Sequence, residues 1–246
     1  MKNKYWLKNK PIAHRGLWTE NIPENSFFAF ENAIENGWSI ELDVQMTSDG
    51  KLVVFHDWKI DRMTDMKGKI TKISSKNISN VYLGNTKQKI PFFVDLLDFV
   101  DGRVPILIEM KYRGFRKKTY IENLFSALEG YEGKYALSSF NPFLVKQAKE
   151  KFGNILCGQN FSDYKESGFI IGRLKKASVY FLWKMSLHIP DFIVCCASMI
   201  PNAYIEQITK KEKLPLLVWA IKDKKEYIQK KQYIDNYIFD QKIFEI

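Results

Sequence analysis

Cysteine is scarce in this chain of 246 residues, with three in all. Cys157 stands alone, and Cys195 and Cys196 are neighbours in an apolar run, so no CxxC pair or Cys/His zinc spacing occurs. The thiols read as small buried hydrophobes, a disulfide framework is excluded, and a cytoplasmic location is expected. A long unbroken apolar run is missing too. The richest, from Ala177 to Ile200, is interrupted by Lys184, His188, Pro190 and Asp191, so it cannot span a bilayer as one segment. The N-terminal MKNKYWLKNKP has the basic start of an export signal without the apolar stretch that must follow. No linker, composition break or repeat divides the sequence, and a single domain over residues 1–246 is expected.

Apolar residues make up 46% of the chain and aromatics 15%, enough for a large core. The formal charge of +10 is concentrated in Lys111-Tyr112-Arg113-Gly114-Phe115-Arg116-Lys117-Lys118 and again from Lys222 to Lys231. A basic surface attracts anionic substrates, phospholipid headgroups or nucleic acid; solvated outer helix faces are the plain alternative.

Histidine is as rare as cysteine, yet two of the three, His14 and His56, fall in the stretch from Ile12 to Asp57. There Ile40-Glu41-Leu42-Asp43-Val44 alternates apolar and acidic, which as a strand puts Glu41 and Asp43 on one face. By itself the pair fits a solvated acidic face. It also fits a hard divalent ion such as Mg²⁺ or Ca²⁺, which takes oxygen ligands, better than Zn²⁺. Asp49-Gly50 is a strong type I′ hairpin signal. Counting outward from it pairs Ser48 with Lys51 and Asp43 with His56, about 5 Å apart at Cβ. Further on, Glu109 and Lys111 stand two apart at a strand end and share a face. Glu109 is thus placed as a third metal carboxylate and Lys111 to neutralise a phosphate oxygen; an ordinary exposed pair is the alternative.

In order along the chain stand HRG at 14–16, PENS at 23–26, ELD at 41–43, SDGKLVVFHD at 48–57 and IEMK at 108–111. This succession resembles the signature blocks of the glycerophosphodiester phosphodiesterase family. The resemblance implies an α/β fold, a (β/α)₈ TIM barrel with a small insertion after the second-strand hairpin. It implies metal-dependent hydrolysis of glycerophosphodiesters to an alcohol and sn-glycerol 3-phosphate. His14 and His56 then serve as the catalytic acid–base pair, and Glu41, Asp43 and Glu109 hold Mg²⁺ or Ca²⁺. Arg15, Lys111 and Trp219 face substrate, with Glu24, Asn25 and Ser138 in support. Departures touch the substrate side: WTxN is here Trp219-Ala220-Ile221-Lys222, TDxP is Phe239-Asp240-Gln241-Lys242, and IPTLEE is Ile90-Pro91-Phe92-Phe93-Val94-Asp95.

The coarse reading of the chain agrees. Strands are expected at 10–16, 39–46, 104–110, 134–139, 154–159, 191–197, 214–221 and 236–240, with helices between, among them 27–36, capped by Ser26 and closed by Gly37. Residues 58–90 lack apolar periodicity and read as an insertion of lid type. His188, before the strand at Asp191, falls at the rim opposite the site and reads as structural. Two rivals remain. A phospholipase of lysophospholipase D type would dock on membrane lipid through Phe169 to Leu187, where Phe181, Leu182 and Trp183 lie near Lys175, Lys176 and Lys184. A nucleic-acid-binding module would use the charge but leaves the paired acids without a reason. The expected partner is a small glycerophosphodiester, with transient contact to an anionic membrane surface and no nucleic acid.

Overall fold

A computed structural model describes residues 5–163 and 190–240. Ile12–Ala136 form one compact unit; Met1–Pro11 and Leu137–Ile246 form a second.

In the first unit, β1 (Ile12–His14) leads through a loop to α2 (Phe27–Glu35), then to β2 (Ser39–Met46), β3 (Leu52–Val54), a short α3 (Ser75–Ile78), α4 (Phe93–Val100), β4 (Ile106–Met110) and α5 (Lys117–Leu128). Helix α2 starts where the sequence indicates. The Ser26 hydroxyl accepts from the Ala29 amide, and Gly37 closes the helix at φ 63°. Strand β2 is buried along its whole length. It lies parallel between β1 and β4, with His14 beside Glu41 and Asp43 beside Glu109.

The hairpin differs from expectation by one residue. Val44 pairs with Val54 and Met46 with Leu52, so Asp43 faces Phe55 rather than His56. The turn is longer than two residues: the Thr47 amide donates to the Lys51 carbonyl at 2.9 Å, and Gly50 donates back to Thr47 at 3.2 Å. Gly50 has φ 93°, whereas Asp49 is not in the left-handed region that a type I′ turn demands. The Asp49 carboxylate accepts instead from the Thr47 hydroxyl at 2.6 Å and from the Ser75 amide and hydroxyl at 2.9 and 2.6 Å. Anchoring α3 decides its conformation, and a one-residue change of register follows.

Residues 58–90 have a small core of their own. Ile60, Ile70, Ile73, Ile78, Val81, Leu83 and Ile90 pack with Val53 and Phe55 of the hairpin. Single apolar residues in tight turns and 3₁₀ segments leave no periodicity to read, yet they bury together.

In the second unit, α1 (Trp6–Asn9), which the sequence reading did not include, is tied to the last strand. The Asn236 side chain donates to the Leu7 and Lys10 carbonyls at 2.8 and 2.7 Å. After β5 (Tyr135–Ser139) come α6 (Pro142–Phe152), β6 (Leu156–Phe161), β7 (Phe192–Cys196), α7 (Ala203–Glu212), β8 (Leu216–Ile221), α8 (Lys224–Lys230) and β9 (Asn236–Phe239). Strands β6 to β9 run parallel, each beside the next. Apart from β3, eight strands stand in the expected places, with helical chain between them among the described residues, and the fold is a (β/α)₈ barrel. The helix expected at 169–187, the docking residues within it and His188 lie outside the described residues. Among the described residues no helix is long and apolar enough to cross a membrane.

Candidate active site

The end of β1, the middle of β2 and the C-terminal end of β4 carry the site. Alternation along β2 sends Leu42 and Val44 to one face and Glu41 and Asp43 to the other, where the β4 register adds Glu109. One carboxylate oxygen from each of the three lies within 4.8 Å of the others. Lys111, one residue beyond β4, places Nζ 3.3 Å from Asp43 Oδ1 and 3.5 Å from Glu109 Oε1. Its own amide donates to the Val44 carbonyl, which also accepts from the buried Tyr120 hydroxyl.

Three such acids cannot all stay ionised in a dry pocket. Burial, then Asp43 and Glu109, push Glu41 well above the carboxylate range. Burial, with Asp43 adding to it, raises Glu109 to about 7 although Lys111 opposes. Asp43 is equally buried, but Lys111, His56, Arg15 and the Asn25 amide outweigh burial and hold it ionised well below its usual range. The cluster therefore stores repulsion that a divalent cation would relieve, and its donors are all hard oxygens. Asn25 Oδ1, buried beside Asp43 and accepting no hydrogen bond, adds an uncommitted oxygen. The residues present can hold a divalent metal ion, with Glu41, Asp43 and Glu109 as its carboxylates.

The loop after β1 closes over this cluster in a strained form. Arg15 has φ 59° and Asn25 φ 53°, both unusual outside glycine. Each has a reason. The Arg15 amide donates to Glu41 Oε2 at 3.0 Å, and its guanidinium meets Glu24 Oε1 at 2.9 Å and stands 3.7 Å from Asp43. The Asn25 amide donates to the Arg15 carbonyl at 2.9 Å while its side chain donates to Asp43 Oδ2 at 3.0 Å. Gly16 lets the chain pass: a Cβ there would sit 2.8 Å from the Ala29 carbonyl, and its φ is +79°. Glu24 is thereby committed to arginine. Burial alone would raise it, but Arg15, followed by Arg62, holds it below its ordinary value.

His56 follows β3. Its Nδ1 lies 2.6 Å from Asp57 Oδ1, and burial lowers its pKa although Asp43 and Asp57 pull the other way. The main chain here is fixed by a residue that sequence reading passed over. The Gln45 amide, fully buried on the Glu41 and Asp43 face of β2, donates to the carbonyls of Phe55, His56 and Asp57 at 2.7, 3.2 and 2.7 Å. Alternation with the acid pair was the available signal, though glutamine at that position names no chemistry. The other half of the turn is braced by Arg62, whose Nε donates to Asp57 Oδ2 at 2.5 Å. As one of several basic residues in the insertion, Arg62 gives no hint of this contact in the sequence.

The structure thus brings Glu41, Asp43, Glu109, Lys111, Arg15 and Asn25 together, with His14 beside Glu41 in the ladder and His56 close enough to Asp43 to perturb it. Trp58 extends the cationic side, with Lys111 Nζ 5.7 Å and the Arg113 guanidinium 4.3 Å from its ring. Ser138 and Trp219 belong to the second unit. Ser138 is buried in β5, and half-buried Trp219 meets Phe140 edge-on at 5.8 Å.

Residues 14–232 match the family model described as "Glycerophosphoryl diester phosphodiesterase family". A glycerophosphodiester phosphodiesterase of Caldanaerobacter subterraneus subsp. tengcongensis is 28% identical over 253 residues, covering 95% of each chain. One from Bacillus altitudinis is 34% identical over 143 residues, covering 54% of this chain and 58% of its own. Among solved structures, a phosphodiesterase of Oleispira antarctica in complex with the product sn-glycerol-3-phosphate superposes with a TM-score of 0.80 at 21% identity, covering 96% and 95%. These likenesses agree with the barrel, and the family match, spanning most of the sequence, shows that the chain belongs to the glycerophosphoryl diester phosphodiesterase family and is a phosphodiester-hydrolysing enzyme.

Proposed function

We propose that the protein hydrolyses glycerophosphodiesters to an alcohol and sn-glycerol 3-phosphate at this site, with Mg²⁺ or Ca²⁺ bound by Glu41, Asp43 and Glu109. The observation that carries the reading is the convergence of three carboxylates within 4.8 Å, bordered by Lys111 and Arg15. The cation, when bound, would supply Lewis-acid stabilisation of charge on the phosphoryl oxygens. Lys111 and Arg15 add to that stabilisation, since charge developing at a non-bridging oxygen meets fixed cations already desolvated. His56 and His14 move the protons, one taking a proton from the nucleophile and the other giving one to the leaving alkoxide. For His56 the hydrogen bond from Nδ1 to Asp57 leaves Nε2 to face the reaction. Asn25 and Glu24 keep Asp43 and Arg15 in place. Trp219 and Ser138 remain in this proposal as substrate-facing groups, residues 58–90 as the covering element, and the cytoplasm as the location.

Product analysis tests the proposal. Glycerophosphocholine, glycerophosphoethanolamine, glycerophosphoglycerol and a lysophospholipid are each incubated with and without metal. Release of sn-glycerol 3-phosphate that stops with chelator and returns with Mg²⁺ or Ca²⁺ supports it; chelator-resistant turnover removes the cation from the account. Replacing His14 or His56 by Ala lowers turnover by about 10² or more with the fold intact, and full activity in either refutes that residue's part.

Transient contact with an anionic membrane has one observation in its favour. Phe115 is fully exposed in the loop after β4, between exposed Arg113 and Arg116 and next to exposed Lys118. An aromatic tip ringed by cations suits an anionic lipid surface. Co-sedimentation with phosphatidylglycerol vesicles, lost in Phe115→Ser, is the expected result; equal binding by the variant discards the contact.

A further inference from the structure

Arg62, in the insertion, reaches across two of the loops around the site. Its Nε donates to Asp57 Oδ2 at 2.5 Å, and a terminal nitrogen donates to Glu24 Oε1, also at 2.5 Å. The remaining Asp57 oxygen lies 2.6 Å from His56 Nδ1. A guanidinium fork can occupy two carboxylates in fixed directions, which an ammonium cannot. Arg62 is itself held from behind. It ends the 3₁₀ turn Ile60–Arg62, whose Ile60 is fully buried in the insertion's core and donates through its amide to Gly68 at 2.9 Å.

Asp57 directly follows the histidine it serves, and its side chain is 24% exposed. Without a second partner such a carboxylate has several rotamers open to it, only some of which meet Nδ1. With one oxygen taken by Arg62, the other is presented to the imidazole ring. That hydrogen bond selects the neutral tautomer with the proton on Nδ1 and stops ring rotation. Gln45 holds the main chain of the same residues, so backbone and ring are each held by a separate partner.

We propose that Arg62 is a positioning residue acting on His56 through Asp57, so that the core of the 58–90 insertion sets which nitrogen of His56 faces the reaction. The proposal rests on the reading of His56 as a proton-transfer group. It gives the insertion a part in catalysis that needs no opening or closing.

The test compares Arg62→Met, Arg62→Lys, Asp57→Asn and the double variant Arg62→Met/Asp57→Asn in the full chain with metal, together with ¹⁵N spectra of the His56 ring. Arg62→Met lowers kcat by about 10-fold with KM within about twofold, as loss of an outer partner does. Arg62→Lys recovers part of the loss. In the Asp57→Asn background the Arg62 change adds less than about twofold, because both act along one path. The ring passes from the Nδ1–H tautomer to a mixture in Arg62→Met. Wild-type kcat in Arg62→Met, an unchanged ring tautomer, or the same 10-fold loss persisting in Asp57→Asn, which would route the effect through Glu24, overturns the proposal. A His56→Ala variant with full turnover would sink the acid–base reading instead, and the ring spectrum would still report whether Arg62 sets His56.

Discussion

Glu41, Asp43 and Glu109 reach the site on strands, whereas Arg15, Glu24, Asn25 and His56 reach it on loops, and the two groups are held by different means. The strand acids are placed by ladder register: Asp43 beside Glu109 follows from backbone hydrogen bonds that exist whatever the side chains are. The loop residues are placed by side chains that bond to main chain or to each other, as Asn25 does with Asp43 and Gln45 with the carbonyls of residues 55–57. A ladder can therefore press like charges together against their preference, while a loop must satisfy each group it positions. The strand half carries the repulsion and the loop half carries the compensation.

The largest effects come from breaking that division within β2. Glu41 and Asp43 are two residues apart on one face, yet their charges are opposed and favoured respectively. Removing either carboxylate abolishes the proposed metal site and lowers turnover by about 10² or more. Stability without metal separates them. Glu41→Gln relieves repulsion and raises the melting temperature in chelator. Asp43→Asn leaves buried Lys111 and Arg15 short of their anion and costs about 3–5 kcal/mol. Equal shifts in thermal melts would show that the acids share their charge evenly, against the asymmetry described.

Next comes the pH dependence that Glu109 imposes. With its folded pKa at about 7 against an ordinary value of 4.5, the metal-free folded state holds a proton that the unfolded chain has lost between those limits. Its contribution is fully present below 4.5 and is lost as pH rises through about 7, a change on the order of a few kcal/mol. His56 works in the opposite sense, because its folded pKa lies below 6.5 and its stabilising neutral state is lost as pH falls. The difference between wild type and Glu109→Gln isolates the carboxyl: in chelator melts it changes with pH between about 4.5 and 7, and divalent metal removes that change by displacing the proton. A wild type no more sensitive than the variant across this range refutes the assignment.

The same division explains what could be read from the sequence. Alternation in residues 40–44 placed Glu41 and Asp43 together, and two-residue spacing placed Glu109 and Lys111, because a strand's period is rigid. The order of the strands is legible for the same reason, whereas the short helices α1 and α3 are too brief to show a period. Counting through a two-residue turn sets His56 opposite Asp43, one residue away from the pairing observed, because Asp49 bonds to Thr47 and Ser75 instead of entering the left-handed region. His56 still lies near Asp43, through a bend held by Gln45 rather than through strand pairing. Neither Gln45 nor Arg62 announces itself in sequence, since amide and guanidinium groups that bond to loop carbonyls and carboxylates have no period.

Gln45 offers a smaller break. Gln45→Leu leaves three carbonyls without their shared donor and is expected to cost about 1–3 kcal/mol. If loop geometry depends on such bonds, kcat falls beyond what unfolding explains at a temperature well below the melting point. A variant that loses stability but keeps kcat would mean that Asp57 and Arg62 suffice to hold His56.

Ser26→Ala probes the opposite limit, a loop-end bond that supports the fold without touching the chemistry. The Ser26 hydroxyl caps α2 by accepting from Ala29 at 3.2 Å and donates to the Pro23 carbonyl at 2.7 Å. Its loss exposes an amide with no helical partner and costs about 1 kcal/mol. Neighbouring Asn25 keeps its place because its own amide is bonded to Arg15 and its side chain to Asp43. The expected variant melts a few degrees lower with unchanged kcat and KM. A fall in kcat at constant folded fraction would mean that the helix start, and not Asn25 itself, holds the loop half of the site in register with the strand acids.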